Sequence, residues 1–339
     1  MSGIRVIFTG VRQVALEPQP RPSPGPREVC VRTEYTLVSP GTELALYEGT
    51  HAGLADPEIA FAKYPHGPGY TAIGRVEACG AEVTGLKPGE QVFFLGRHES
   101  WSCWAPQDAL WLQVPEGLTI EQVLLGRLLQ IASTCWWCLR ARPKRVIVIG
   151  AGLVGVLAAQ LLQARGVPEV VIQDVNPARL RLASSSGVRL CALGTGGDLG
   201  PARGLLRGEP DAIVEATGVP AMVTASLDAV RRRGDVILLG SPRGSLSIDL
   251  YKQIHRKGVA LIGAHEAMLP DRAKPPEPSR EELLRQAFEW LRTGAVSVGG
   301  LVTDVVRPEE MPDTYKRISR DKNNVLGVIV NWTANEGST

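Results

Sequence analysis

The chain has 339 residues, a length that suggests about two domains and leaves ample room for a buried core. Hydrophobic residues make up 44% and charged residues 21%, as in an ordinary globular enzyme, and the formal net charge is only +2. Such a balance gives no electrostatic basis for binding nucleic acid or a membrane surface. No charged and then apolar leader opens the sequence, and the six scattered cysteines favour reduced thiols, so we expect a cytoplasmic protein.

Residues 1 to about 120 consist of short β-like runs separated by turns. Examples are Arg5–Phe8, Glu28–Thr33 and Gly74–Ala78, and the turn Lys87–Glu90 leads into a further run, Gln91–Phe94. No long amphipathic helix interrupts these runs. The pattern therefore predicts an all-β or partly open barrel region.

From about residue 120, predicted helices and strands alternate. The predicted strands are Arg145–Ile149, Glu169–Gln173, Ala212–Glu215 and Val236–Leu239. The predicted helices are Leu124–Arg140, Leu153–Arg165, Pro177–Ser184 and Pro220–Arg232. This alternation is typical of an α/β fold with a doubly wound parallel sheet. A proline-rich surface loop at 269–280, a helix Arg280–Leu291 and a last strand Val325–Val330 complete the chain.

The strongest motif is a glycine-rich turn that follows an apolar strand and opens a helix. Gly150, Gly152 and Gly155 have the GxGxxG spacing of a dinucleotide-binding turn. The first glycine permits the tight turn, the second lets a pyrophosphate approach, and the third lets the helix pack closely on the sheet. The N–H groups at the helix start, including those of Leu153 and Val154, would face the phosphates.

Residues at the ends of the next strands support a nucleotide site. Asp174 ends the strand after the glycine turn, where a carboxylate can accept hydrogen bonds from ribose hydroxyls and repel the 2′-phosphate of NADP. Arg179 follows in the next helix, so NADP stays open as an alternative. Two further strands end at Thr217 and at Gly240-Ser241, at the edge where the nicotinamide half would lie. The expected cofactor is NAD.

The order of these parts resembles that of the medium-chain dehydrogenase/reductase superfamily. Leu86–Val92 is similar to a characteristic turn of that family, and Gly69–Gly74 occupies the place of its zinc-proximal motif. Within the superfamily, Ser39–Glu43 and Pro68–Tyr70 look similar to the branch of bacteriochlorophyllide, threonine and polyol dehydrogenases.

The resemblance implies a GroES-like β-rich catalytic domain and a Rossmann domain with a doubly wound parallel sheet. The first would comprise residues 1–130 and 270–339, and the second residues 131–269. It also implies that His265 belongs to the segment whose backbone holds the nicotinamide carboxamide, and that Gln130 lies beside the nicotinamide.

Zinc-dependent members of the family hold a catalytic metal with a Cys, a His-Glu pair and a later acid or Cys. Aligned on the family's motifs, those four positions are occupied by Pro40, Tyr70, Thr71 and Gly126. None of the four is a strong zinc ligand. The resemblance together with these residues predicts an enzyme without a catalytic zinc.

Without zinc, hydrogen bonds must polarise the substrate oxygen. Thr42 occupies the position of the family's proton-relay hydroxyl, and Tyr70 carries a phenol in a loop that would face the nicotinamide. Glu43 could orient Tyr70 or act as a base. These three residues are the predicted catalytic group.

Three functions remain open at this point. The first is a zinc-independent NAD(H)-dependent dehydrogenase of a secondary alcohol, such as a sugar, a cyclitol or an intermediate of secondary metabolism. The second is a zinc-free reductase of an activated C=C bond or a quinone. The third is a nucleotide-binding protein without catalysis. In each case we expect a homodimer with a small-molecule ligand and with neither nucleic acid nor membrane as a partner.

Overall fold

A computed structural model describes residues 3–275, 277–322 and 324–333 of the chain. Its strands are β1 Gly3–Gly10, β2 Gln13–Gln19, β3 Val29–Val38, β4 Ala72–Cys79, β5 Gln91–Phe94, β6 Trp101–Trp104, β7 Trp111–Gln113, β8 Arg145–Ile149, β9 Glu169–Asp174, β10 Leu190–Leu193, β11 Ala212–Glu215, β12 Asp235–Leu238, β13 Ala260–Gly263, β14 Val302–Val306 and β15 Gly327–Asn331. Its α-helices are α1 Pro40–Tyr47, α2 Ile120–Cys138, α3 Leu153–Ala164, α4 Pro177–Ser185, α5 Gly200–Gly204, α6 Pro220–Ala229, α7 Arg280–Arg292 and α8 Met311–Arg320. One residue of the predicted loop 269–280, Pro276, lies outside the described residues.

The chain divides into two compact units. One unit comprises Met1–Leu125 and Val302–Thr339, and the other comprises Gly126–Leu301. The mixed α/β architecture with a β-rich unit and a parallel-sheet unit confirms the predicted fold class. No helix among the described residues is long and apolar enough to cross a membrane.

The second unit is built on a six-stranded, fully parallel sheet in the order β10-β9-β8-β11-β12-β13. This is the strand order of a dinucleotide-binding Rossmann domain. Because helices cover both faces, the inner strands are almost continuously apolar, as in Arg145–Ile149, whose last four residues are buried. The apolar stretch from Val146 to Ala164 is therefore strand, turn and helix within the core.

The first unit contains a seven-stranded sheet in the order β14-β15-β3-β4-β5-β7, with β6 also paired to β3. The long strand β3 is its centre, because β4, β6 and β15 all pair with it in antiparallel register. The C-terminal strand β15 therefore belongs to the same sheet as the N-terminal segments. A short helix not predicted from the sequence, α1, follows β3 directly.

The return to the first unit comes at residue 302, whereas the sequence places it at 270. The reason is the packing of α7 on α2 and α3. Phe288 of α7 lies so close to Gly126 of α2 that a Cβ on that glycine would be 2.5 Å from the ring. The guanidinium of Arg165, at the end of α3, lies 5.4 Å from the ring centre of Trp136 and 5.0 Å from that of Trp290.

The expectation of six reduced thiols is wrong for two of them. Cys30 and Cys103 form a disulfide between β3 and β6. They are direct register partners in the antiparallel pair, which places their Cα atoms 4.4 Å apart. Cys135 and Cys138 both lie on α2 with free thiols, and complete burial raises the pKa of Cys135 to about 12.

Candidate active site

The glycine-rich turn lies between β8 and α3, at the carboxyl edge of the parallel sheet. Gly150 has a φ of +101°, which favours glycine. A Cβ on Gly155 would lie 1.9 Å from the carbonyl oxygen of Gly150, so only glycine lets the helix start this close to the strand. Gly152, the N-cap of α3, has extended backbone, and a Cβ there would meet no atom of a neighbouring segment within 4 Å among the described residues. The turn thus leaves open space at the glycine that should face a pyrophosphate.

Asp174 lies beside this turn, at the end of β9. Its Oδ2 accepts a hydrogen bond of 2.7 Å from the backbone N–H of Ala151, and its Oδ1 accepts one of 2.8 Å from Asn176. The carboxylate is half-buried and is therefore held between the turn and the start of α4. Arg179 lies in the first turn of α4, also half-buried.

The predicted residues Thr217, Gly240 and Ser241 come together where β11 and β12 end. Glu215, fully buried, accepts hydrogen bonds from the N–H groups of Thr217 at 2.7 Å and Gly218 at 3.0 Å. Burial raises the pKa of Glu215, although these hydrogen bonds act in the opposite direction. A Cβ on Gly240 would lie 2.5 Å from the Gly218 nitrogen, so the two strand ends touch through backbone.

Helix α2 holds the segment that follows β13. Arg127, nearly fully buried, forms two hydrogen bonds of 2.5 Å with the carboxylate of Glu266 and a third with Oε1 of Gln130. One turn further along, the hydroxyl of Thr134 donates to the carbonyl of Ala264 at 2.8 Å. Burial alone would raise the pKa of Glu266, but the charge and hydrogen bonds of Arg127 outweigh it and lower that pKa. Among the residues that the structure describes, Nε2 of Gln130 has no hydrogen-bond partner.

His265 lies in the segment that α2 holds, as the sequence places it. Its side chain is exposed, and its Nδ1 accepts a hydrogen bond of 3.1 Å from the N–H of Ala267. The imidazole therefore caps the short 3-10 turn Glu266–Met268. A backbone contribution of His265 to a ligand site stays a prediction.

In the other unit, Glu43 lies inside the protein with 1% of its surface exposed. Its Oε1 accepts a hydrogen bond of 2.8 Å from the backbone N–H of Ser39. Its Oε2 accepts one from the hydroxyl of Tyr315 and lies 3.0 Å from Nε2 of His98. Burial and the neighbouring carboxylate raise the pKa of Tyr315 well above its usual value. Glu43 is thus a buried acceptor.

His98 continues this hydrogen-bond network into the core. Its Nδ1 lies 2.7 Å from the hydroxyl of Thr36, which also accepts a hydrogen bond of 3.0 Å from the indole of Trp332. With one ring proton, at Nε2, every acceptor meets a donor: Trp332 donates to Thr36, Thr36 to His98, and His98 to Glu43. The network joins β3, α1, the loop after β5 and the C-terminal segment.

Tyr70 is half-exposed, and its hydroxyl lies 2.5 Å from Oγ of Ser39. Thr42 occupies a half-buried position in the first turn of α1, next to Glu43. The structure therefore connects two of the three predicted residues, Tyr70 and Glu43, through the serine that lies between them. Ser39 was not among the predicted residues.

The four positions that hold zinc in metal-dependent relatives do not fit the ion here. Pro40 and Gly126 offer no side-chain donor atom, and the hydroxyls of Tyr70 and Thr71 are weak zinc ligands. Gly126 also has no space for a side chain, because Phe288 lies against it. The described residues contain no group of three or more His, Cys, Asp or Glu that could hold a metal.

Some site residues that the sequence prediction missed do carry a local sequence signal. Ser39 precedes Pro40 and is followed by Glu43, a pattern typical of a helix start that would have predicted α1. Arg127 and Gln130 lie one helical turn apart on one face of α2. By contrast, Tyr315 lies 272 residues from Glu43, and no local pattern links them.

Two family models match the chain. The alcohol dehydrogenase GroES-like domain matches residues 25–165, and the zinc-binding dehydrogenase model matches residues 154–276. Together they span residues 25–276, which include strands β3 to β7 of the β-rich unit and all six strands of the parallel sheet.

Among curated proteins, sorbitol dehydrogenase of Macaca fascicularis is 27% identical over 296 residues, which cover 76% of this chain and 81% of that protein. The 2-desacetyl-2-hydroxyethyl bacteriochlorophyllide A dehydrogenase of Cereibacter sphaeroides is 24% identical over 349 residues, which cover 97% and 98%.

Solved structures with the same fold include 2R,3R-butanediol dehydrogenase from Bacillus subtilis, with a TM-score of 0.80 at 16% identity over 97% of this chain and 99% of that one. An alcohol dehydrogenase from E. coli CFT073 complexed with NADH has a TM-score of 0.78 at 16% identity, covering 98% and 100%. A dehydrogenase from Sinorhizobium meliloti 1021 bound to NADP has a TM-score of 0.76 at 19% identity, also covering 98% and 100%.

The two glycines of the turn should respond differently to alanine. In Gly155→Ala the new methyl group overlaps the Gly150 carbonyl, so we expect a loss of unfolding free energy of about 2 kcal/mol or more. In Gly152→Ala the methyl group meets no protein atom, so stability should stay within about 0.5 kcal/mol of the parent. NADH binding should nevertheless weaken about tenfold or more, because the methyl group occupies the approach of the pyrophosphate. Guanidinium unfolding and fluorescence titration with NADH measure both effects; parent-like NADH binding by Gly152→Ala would contradict a pyrophosphate site at this turn.

The Arg127–Glu266 pair predicts a pH-dependent stability. Glu266→Gln leaves Arg127 buried without a counter-charge, so we expect a loss of about 3 kcal/mol at pH 7. Because the fold lowers the pKa of Glu266 below its ordinary value of 4.5, this contribution is present above about pH 4.5 and is lost as the pH falls further. The stability difference between parent and variant should therefore narrow in acid. Glu289→Gln, which breaks an exposed pair with Arg292, is the control and should show no comparable loss; a difference independent of pH for Glu266→Gln would refute the ionic role.

Proposed function

Because the chain belongs to the medium-chain dehydrogenase/reductase superfamily and is an oxidoreductase, we propose that it is a zinc-independent, NAD(H)-dependent dehydrogenase that interconverts a secondary alcohol and a ketone. The observation that carries this proposal is the set of residues at the zinc-ligand positions. One of them, Tyr70, places a phenol hydroxyl where relatives have a metal ligand, and Gly126 leaves no space for a ligand at all.

A catalytic zinc contributes several kcal/mol by polarising the reacting oxygen. In this chain that task would fall to hydroxyl groups. Tyr70 can donate to a developing oxyanion and can take the proton of an alcohol when deprotonated, and Thr42 supplies a second hydroxyl in the first turn of α1. The burial of Glu43 supports a positioning role for it rather than that of a base in contact with substrate.

A bound nicotinamide dinucleotide would supply the hydride acceptor or donor. The glycine turn from Gly150 to Gly155, with the N–H groups of Leu153 and Val154, would hold its pyrophosphate. Residues at the strand ends and on α2 would surround its nicotinamide half, namely Thr217, Gly240, Ser241, the backbone of His265, and Gln130, whose buried amide nitrogen still lacks a partner among the described residues. One related fold is known with NADH and another with NADP, so the choice between them depends on the residues of this chain.

The names of the relatives support an alcohol as the substrate. Sorbitol, 2R,3R-butanediol and a hydroxyethyl bacteriochlorophyllide, from which the dehydrogenases reported above take their names, all carry a hydroxyl group. A zinc-free reductase of an activated C=C bond is the other catalytic outcome, and the assay described below separates the two.

The position of Asp174 predicts a preference for NAD(H) over NADP(H). Its carboxylate is fixed beside the glycine turn, where it would accept from the ribose hydroxyls and repel a 2′-phosphate. We expect NADH to bind more tightly than NADPH. The substitution Asp174→Ser should reduce the ratio of the NADPH dissociation constant to the NADH dissociation constant about tenfold. Asp198→Ser is a matched control, since Asp198 also accepts from a backbone N–H two residues ahead, that of Gly200. Calorimetry that finds tighter binding of NADPH by the parent would exclude the assignment.

The proposed chemistry predicts activity without zinc. The purified protein should reduce NAD in the presence of a secondary alcohol from a panel of polyols, diols and hydroxy acids, measured by absorbance at 340 nm. It should contain no stoichiometric zinc by elemental analysis and should keep its activity with a chelator. Tyr70→Phe should lower turnover about 100-fold or more, because a donor to the oxyanion is lost, while NADH affinity stays within about twofold.

Tyr251→Phe removes an exposed phenol from the other unit and serves as the control, with turnover expected at the parent level. Oxidation of NADH or NADPH by enones or quinones, with no reaction on alcohols, would replace the proposal by the reductase. Tight cofactor binding without turnover on either panel would favour a non-catalytic nucleotide-binding protein. About one zinc per chain, with activity lost to the chelator, would contradict zinc independence.

A further inference from the structure

Ser39 is the N-cap residue of α1, but its hydroxyl does not cap the helix. A serine at this position usually accepts a hydrogen bond from one of the first N–H groups of its own helix. Here no side-chain capping bond is present, and Oγ instead lies 2.5 Å from the hydroxyl of Tyr70. The serine hydroxyl is therefore directed toward the predicted catalytic phenol, and the start of α1 lacks a side-chain capping bond.

The backbone of Ser39 is held by the buried network described above. Its N–H donates to Oε1 of Glu43 at 2.8 Å, and Glu43 is itself fixed by His98 and Tyr315. Because all three of these side chains are almost completely buried, the position of Ser39 does not depend on a mobile surface group. The Ser39 hydroxyl is thus pre-organised with respect to Tyr70.

We propose that Ser39 and Tyr70 form a hydroxyl pair in which Ser39 stabilises the ionised phenol that exchanges a proton with the substrate oxygen. This inference rests on the proposed function. In the neutral pair Tyr70 donates to Ser39, and when Tyr70 loses its proton the Ser39 hydroxyl turns and donates to the phenolate. In alcohol oxidation the hydroxyl proton of the substrate passes to Oη of the ionised Tyr70. A bound nicotinamide dinucleotide would accept the hydride, with its electron pair, from the carbon. Tyr70 then releases the proton to solvent, and ketone reduction uses the same steps in reverse.

Other titratable and charged groups surround the pair, and their effects differ from that of Ser39. The negative charge of Glu43 opposes ionisation of Tyr70, and Tyr315 and His98 share the Glu43 carboxylate. The loop of Arg97 and His98 runs against Gly69, the residue before Tyr70, and His66 lies a few residues earlier in the same segment. Arg97 would favour a phenolate. Because Ser39 carries no charge, its removal tests the hydrogen bond without changing any of these charges.

The experiment is an NMR titration of the full-length protein labelled with 13C at Cζ of tyrosine. The signal that disappears in Tyr70→Phe identifies Tyr70 among the six tyrosines. We expect Ser39→Ala to lower the acid dissociation constant of Tyr70 at least about threefold, because the phenolate loses a donor. Ser39→Thr keeps a hydroxyl and should stay within about twofold of the parent. Thr42→Val removes the neighbouring hydroxyl of α1 and should also leave the titration of Tyr70 near the parent.

A Ser39→Ala protein whose Tyr70 titrates as in the parent would overturn the proposal, as would a shift of the same size in Ser39→Thr. Matched unfolding curves of the parent and the two Ser39 variants exclude a general loosening of the unit. The titration needs neither substrate nor cofactor. A failure of the proposed dehydrogenase function would instead appear in the alcohol panel, so the two failures are distinguishable.

Discussion

The buried carboxylate of Glu43 is the constraint around which the N-terminal unit is organised. A carboxylate removed from water is costly unless donors replace its hydration, and here they come from Ser39, His98 and Tyr315. These donors belong to separate parts of the chain, so satisfying one acid fixes the relative positions of a helix start, a loop and the last helix. The same bond that satisfies Oε1 sets the backbone of Ser39, and with it the contact to Tyr70. A structural requirement and the geometry of the candidate site thus share one set of hydrogen bonds.

In the second unit, glycines without a side chain determine how closely the backbone segments approach one another. At Gly155 and Gly240 a Cβ would collide with backbone, so strand ends and the helix start approach one another directly. Two acids accept hydrogen bonds from N–H groups at these turns: the buried Glu215 accepts from Thr217 and Gly218, and the half-buried Asp174 accepts from Ala151 beside the glycine turn. Hydrogen bonds within the protein therefore hold the backbone at the edge that would receive a dinucleotide.

Local sequence patterns predicted the parallel-sheet unit well because each of its strands and helices carries its own periodicity and turn residues. The strands Arg145–Ile149 and Ala212–Glu215 have the predicted bounds. The β-rich unit was predicted only in class, since its strand pairings and the disulfide between Cys30 and Cys103 depend on register across 73 residues. The turn residues and the positions of the missing zinc ligands could be read from the sequence. The partners of Glu43 could not, because hydrogen bonds between distant segments leave no spacing to detect.

The two units also differ in the order in which a ribosome would synthesise their segments. The parallel-sheet unit is one continuous segment, Gly126–Leu301, whose strands all emerge in a single stretch of synthesis. The other unit consists of segments on both sides of that stretch. Its strand β3 lacks the neighbour β15, and Glu43 lacks the hydroxyl of Tyr315, until the segment that follows Leu301 has been made. During that interval Glu43 lacks one of its hydrogen-bond donors, so burial of its carboxylate would be costlier than hydration. The hydrogen bond from Tyr315 to Glu43 and the pairing of β15 with β3 can therefore form only after the parallel-sheet unit has been synthesised.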